Sequence, residues 1–195
     1  MSKFANKVFK YRSYSPIPFL ILMFVFQEAT IESLIIGFVI ALMGEGWRLW
    51  GVSVAGSETR RTGAVGATFL VVTGAFAYVR NPLYIGNILL YLGIGVMSMA
   101  LFPYLHIAAL LFFSWQYHVI VKEEEEFLHK TYGEQYEDYK KNVPRFIPRL
   151  TPYKNPGIEQ PENDIKKGLK SEVRTLQAFG FVIILLVALY LLELN

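Results

Sequence analysis

The sequence predicts an all-α integral membrane protein with about five transmembrane helices. Three observations carry that expectation. Of the 195 residues, 53% are hydrophobic and only 18% are charged, so polar surface is too scarce to cover a soluble globule. Five apolar stretches are long enough, or close to long enough, to cross a bilayer. And when the N-terminus is placed in the cytoplasm, all 19 Lys and Arg fall on the cytoplasmic side, as the positive-inside rule requires. One membrane domain, residues 1–195, accommodates the whole chain.

The first stretch, 15–29, follows Lys3, Lys7, Lys10 and Arg12. The basic start and apolar run resemble a signal peptide, but QEATIE follows with no small-residue cleavage pattern. A retained first span is therefore expected. It is short, near the lower limit of about 17 residues for a spanning helix, and a re-entrant hairpin would also leave both its ends inside. The second span, 31–50, follows a tight turn that carries Glu28 and Glu32 but no cation. Arg48, Arg60, Arg61 and Arg80 then return to the inside. Spans three and four, 83–100 and 103–121, form a hairpin whose outer turn has no Lys or Arg. The fifth, 176–192, contains AFGFVIILLVALYLL without a charge.

The outer turns are too short to hold a site, so chemistry belongs to the inner segments. Residues 122–150 are expected to form the catalytic segment. The fourth span should continue out of the membrane as a helix, break at Gly133 and restart from Glu134 to Lys141, with Thr131 and Glu134 at capping-box spacing. Tyr136 and Tyr139, three apart, share a face of that short helix. Val143-Pro144 ends it. Residues 151–170, with Pro152, Pro156, Gly157 and Pro161, read as a polar tether to the last span.

Chemistry-bearing residues are few. The absence of cysteine excludes disulfides, thiolate catalysis and Cys-based zinc sites. The three histidines lack metal-ligand spacing. His106 reads as interfacial, His118 as packed and hydrogen-bonded, His129 as solvated. Gly63, Gly66 and Gly74 follow no strand and make no phosphate loop. No nucleic-acid partner is expected. Glu45 and Arg48 are placed for a structural ion pair, and Trp47, Trp50 and Tyr104 for interfacial anchoring. The run Glu123–Glu126 is more informative. Consecutive helical residues turn about 100° each, so four in a row point around the whole helix and one or two must face the bundle. A buried carboxylate is costly unless it is paired with a cation or hydrogen-bonded, and Arg80 and Arg145 lie on the same side of the membrane.

The order of these pieces is itself a pattern. TGAFAYVRNPLYIG, from Thr73 to Gly86, precedes two spans. Glu124 and Glu125 stand at the membrane exit, Gly133, Tyr136 and Tyr139 follow, and VPRFIP closes the series at Pro148. Residues 70 to 150 resemble the isoprenylcysteine carboxyl methyltransferase and phospholipid methyltransferase group of membrane enzymes, whose pattern is an Arg-His-Pro-x-Tyr box, a helical hairpin, a Glu-Glu pair and a Gly-x-x-Tyr-x-x-Tyr tail. Trp47 to Trp50 is similar to the segment at the end of their second span.

The resemblance implies S-adenosylmethionine in a pocket at the cytoplasmic membrane surface and a lipid-like acceptor reaching it from the bilayer. It implies cofactor contacts from Tyr78, Arg80, Asn81, Pro82, Tyr84, Glu124 and Tyr139. Glu125 would orient the donor or take a proton, and Arg145 would face the acceptor; these two are the expected catalytic residues. The charge placement sets the C-terminus opposite the cytoplasmic N-terminus, in the bacterial inner membrane or the endoplasmic reticulum. One position departs: Asn81 replaces the histidine of the box, keeping hydrogen-bonding capacity but not a titrating ring. Two alternatives stay open: an NADPH-dependent reductase of sterol-like enones, which shares a related box, and a non-catalytic lipid-binding protein. Pro82 suits the start of a span, because its missing N–H would be unpaired in a first turn anyway.

Overall fold

A computed structural model describes residues 3–56 and 69–193. Arg60, Arg61, Gly63 and Gly66 lie outside the described residues. Seven α-helices occur among the described residues: α1 (Lys3–Tyr11), α2 (Ile17–Val25), α3 (Ile31–Ala55), α4 (Pro82–Ser98), α5 (Tyr104–Tyr132), α6 (Glu134–Asn142) and α7 (Ile165–Glu193). A short 3-10 turn at Gly74–Ala77 precedes α4. No strand occurs among the described residues.

Helices α3, α5 and α7 are long and apolar enough to cross a membrane. The 17 residues of α4 extend roughly 26 Å at 1.5 Å per residue, just under a hydrocarbon core of about 30 Å. The stretch expected as the first span differs. Only nine residues of it are helical, in α2, roughly 14 Å of helix and too short to cross alone. Pro16 and Pro18 confine its start, and Phe26 ends it. The last helix begins at Ile165, eleven positions before the apolar run, because Lys166 to Arg174 continue the helical turn into polar sequence; the Asp164 carboxylate caps it by accepting from the Lys167 amide at 3.0 Å.

The helices meet through small residues. A Cβ built on Gly93 would stand 2.4 Å from the Ala41 amide nitrogen and 2.6 Å from the Gly37 carbonyl oxygen. Gly44 and Gly86 oppose each other in the same way, each 2.7 Å from the other's carbonyl. These four glycines let the α3 and α4 backbones touch, which in a bilayer is the main source of helix association. Around this seam lies the first core cluster, including Met23, Ala41, Leu90, Ile94, Met97, Leu105, Phe179 and Leu186. Arg48 ties three helices together deeper in: it donates to Glu172 on α7 at 2.8 Å, sits 3.5 Å from Glu45, and contacts Asn87 on α4.

A second, separate core lies beyond the ends of the membrane helices, around α6. Leu70, Val72, Tyr136, Tyr139, Val143, Tyr153 and Ile158 bury one another. The segment expected as a polar tether contributes to this core. Tyr153 and Ile158 are core residues, and Gln160 holds Leu70 and Val72, donating to the first carbonyl at 2.9 Å and accepting from the second amide at 2.8 Å.

Gly93→Ala should push α3 and α4 apart and lower stability by about 1–3 kcal/mol. Gly46→Ala, where the added methyl meets nothing within 4 Å, should leave it unchanged. Thermal unfolding of the two variants in one detergent reads the difference.

Candidate functional site

Two chain segments converge where α4 begins. The chain enters α4 through Ala77–Asn81, and the segment after α6 runs alongside it. The Arg80 amide donates to the Pro144 carbonyl at 2.9 Å, and the Arg149 and Tyr153 amides donate to the Tyr78 and Ala77 carbonyls, each at 2.9 Å. The Asn81 side-chain amide adds a bond to the Arg145 carbonyl at 3.1 Å. These pins fix Arg145 beside Arg80 although 65 positions separate them in sequence.

The expected carboxylates arrive from α5. Helical rotation distributes the four glutamates as anticipated: Glu126 is exposed and paired with Lys130 at 2.6 Å, while Glu125 is buried. One Glu125 oxygen lies 3.3 Å from an Arg80 guanidinium nitrogen and accepts from the Arg145 Nε at 3.0 Å. The other takes a second bond from Arg145, which makes a bidentate grip. Glu124 points along the neighbouring direction and accepts from the Tyr84 hydroxyl at 2.8 Å. Tyr84 stacks on Tyr117 with centroids 4.6 Å apart. The structure therefore brings Arg80, Asn81, Tyr84, Glu124, Glu125 and Arg145 into one cluster at the mouths of α4 and α5.

Two expected cofactor contacts have a further role. Tyr139 donates to the Phe76 carbonyl at 2.7 Å and props the turn that leads into Tyr78. Burial pushes its phenol well above the usual tyrosine range. The same cause raises Tyr136, against the opposing influence of Arg80; both hydroxyls stay neutral. Tyr78 lies against Trp50, centroids 5.5 Å apart, and Trp50 meets Trp47 edge-on. Pro82 is buried as the first residue of α4, and no side chain caps that helix end.

Several local expectations are corrected. Thr131 does not cap α6: it lies inside α5, where its hydroxyl donates back to the Phe127 carbonyl, and Gly133 with positive φ takes the cap position. The capping box is at Thr30 and Ser33 instead. His118 is exposed rather than packed. His106 is buried against Gly95 rather than interfacial, 3.2 Å from where a Cβ on that glycine would stand. His129 is exposed, as expected, and pairs with Glu137 at 3.1 Å. The Glu45–Arg48 pair forms, but its larger partner, Glu172, was not anticipated: it is 1% exposed and lies 124 positions away, in what reads locally as polar surface. Among the described residues no His, Cys, Asp or Glu cluster is arranged to hold a metal ion.

The phospholipid methyltransferase family profile matches residues 33–135. The chain is 34% identical over 87 residues to the cobalt-zinc-cadmium resistance protein CzcN of Cupriavidus metallidurans, covering 44% of this chain and 38% of that protein. It is 32% identical over 91 residues to the nickel-cobalt-cadmium resistance protein NccN of Alcaligenes xylosoxydans xylosoxydans, covering 46% and 40%. The chain thus spans about two-fifths of the length of these relatives. No solved structure matches it.

Glu125→Gln should leave two guanidiniums without their counter-charge and cost about 3 kcal/mol, at the low end for a broken buried pair because Arg145 is about a third exposed. Glu126→Gln, which removes a surface pair, should cost well under 1 kcal/mol. Parallel unfolding curves in detergent distinguish the two.

Proposed function

The chain belongs to the phospholipid methyltransferase family, and from that premise we propose that it transfers a methyl group from S-adenosylmethionine to a lipophilic acceptor at the cytoplasmic membrane face. The observation that carries this reading is the convergence of Arg80, Glu124, Glu125 and Arg145 on one membrane mouth.

The residues present fit that cofactor. The Arg80 Nε is buried and has no hydrogen-bond partner, so a carboxylate would satisfy a donor the protein leaves open. Tyr84 engages one oxygen of Glu124, and the other is suited to an ammonium group. The uncapped first turn of α4 adds amide donors and a positive dipole end. The Trp50 and Tyr78 rings supply flat faces for a purine. When bound, S-adenosylmethionine supplies a methyl group already activated by its sulfonium.

The protein's own work is then alignment and exclusion of water. Glu125 holds Arg80 and Arg145 in fixed positions, which is preorganisation rather than proton transfer. Arg145, the more exposed of the two arginines, is positioned to take an acceptor carboxylate or phosphate. Glu124, held by Tyr84, is the carboxylate within reach of an acceptor proton. The acceptor's apolar portion stays in the bilayer.

Radiolabelled S-adenosylmethionine, total membrane lipid and detergent-purified protein test the proposal. Label should enter the organic extract. Arg80→Gln and Glu124→Gln should each reduce it roughly 10- to 100-fold, the kinetic equivalent of one charge-assisted hydrogen bond worth about 1.5–3 kcal/mol. Base treatment then sorts the acceptor: volatile methanol marks a carboxyl ester, retained label an amine or carbon. Neither label nor cofactor binding by equilibrium dialysis would sink the proposal.

A further inference from the structure

The loop after α6 carries two of the most exposed large hydrophobic side chains in the protein. Ile147 is 79% exposed and Leu150 is 98% exposed. They lie only three positions apart in a segment that is rigidly held rather than loose: its backbone is bonded to residues 77, 78 and 80 from positions 153, 149 and 144. Apolar side chains displayed on a pinned loop need an apolar environment.

The position of the loop indicates which environment. Residues 77–81 lead directly into Pro82, the first residue of α4. Arg145 binds Glu125, which is four residues past the expected membrane exit at Val121, about 6 Å along a helix axis. The headgroup layer on each face of a bilayer is roughly 5–8 Å thick. The loop therefore sits at headgroup depth beside the mouth of the site. Its charge agrees. From Lys140 to Ile158 the sequence has five cations (Lys140, Lys141, Arg145, Arg149 and Lys154) and no carboxylate, the composition that anionic lipid surfaces attract.

We propose that Ile147 and Leu150 form an interfacial lipid-contact site, inserting beneath the headgroups of the cytoplasmic leaflet while the surrounding cations meet anionic lipid. The occupant is the lipid surface of the membrane in which the protein resides. The loop thereby keeps bilayer lipid in contact with the wall that carries Arg145. This inference does not depend on the reaction proposed above, and its test does not measure that reaction.

The chain has no cysteine, so single-cysteine variants label cleanly. Ile147→Cys, Leu150→Cys and a control at the exposed Glu159, Glu159→Cys, would each carry a nitroxide in vesicles of phosphatidylcholine and phosphatidylglycerol. All three side chains are exposed, so each variant should keep the parent unfolding temperature. At 147 and 150 collisions with oxygen should exceed those with a water-soluble nickel chelate, and at 159 the order should reverse. Labels at 147 and 150 that favour the nickel chelate, as at 159, would overturn the proposal. Strong dipolar broadening at 150 that persists on dilution with lipid would also overturn it, assigning the patch to a second copy of the chain.

Discussion

A carboxylate at the edge of a membrane cannot stay buried alone. Glu125 is that carboxylate, and the requirement to neutralise it organises the end of the molecule where α4 begins and α6 follows α5. Its two cations come from opposite sides of the chain, Arg80 just before α4 and Arg145 just after α6. To reach it, the segment after α6 must fold back over the entry to α4. That return is stabilised by backbone bonds to residues 77–81 and by the small aromatic core of Tyr136, Tyr139 and Tyr153. One buried charge thus couples a membrane helix, a helix that leaves the membrane and an extramembrane loop.

The same constraint operates a second time where α3, α4 and α7 meet, with the signs exchanged. There the cation, Arg48, is central, and carboxylates from α3 and α7 approach it. The α3–α4 seam makes this geometry possible. Gly44 and Gly86 oppose each other, and a Cβ on Gly86 would strike Arg48 itself at 2.4 Å. Side-chain bulk is withheld where the arginine must pass between helices. Burying such a group contributes little net stability, but it fixes how α7 registers against the other two helices, which apolar lipid-facing surfaces alone would leave weakly specified.

What the sequence revealed and what it concealed follow from the range of the signals. Hydropathy is local, so α3, α4, α5 and α7 were legible, and so was the break at Gly133. The 100° rotation of a helix made it certain that the run Glu123–Glu126 could not all face solvent. Arg80 and Arg145 followed as partners because sidedness limits the choice of cations. Glu172 was not legible: a glutamate among Lys166, Lys167, Lys170 and Arg174 reads as surface, and nothing local indicates that α7 turns it onto Arg48. Thr131 misled because capping-box spacing also occurs inside a continuing helix. The short α2 misled because its apolar composition is continuous, whereas Pro16, Pro18 and the polar turn after Phe26 limit how much of it is helical.

Asn81 marks the one place where the chain departs from the Arg-His-Pro-x-Tyr pattern, and its geometry gives a reason the departure is tolerable. Its side-chain amide donates to the Arg145 carbonyl, a bond that a histidine ring N–H could equally make. Either residue would pin the loop and orient Arg145. What asparagine cannot do is titrate near neutral pH. At this position the side chain holds the two segments together. Glu125 is enclosed by two guanidiniums, whereas Glu124 is engaged on a single oxygen by a neutral hydroxyl. The two adjacent carboxylates of α5 are thus held in different ways, one by charge and one by a neutral donor.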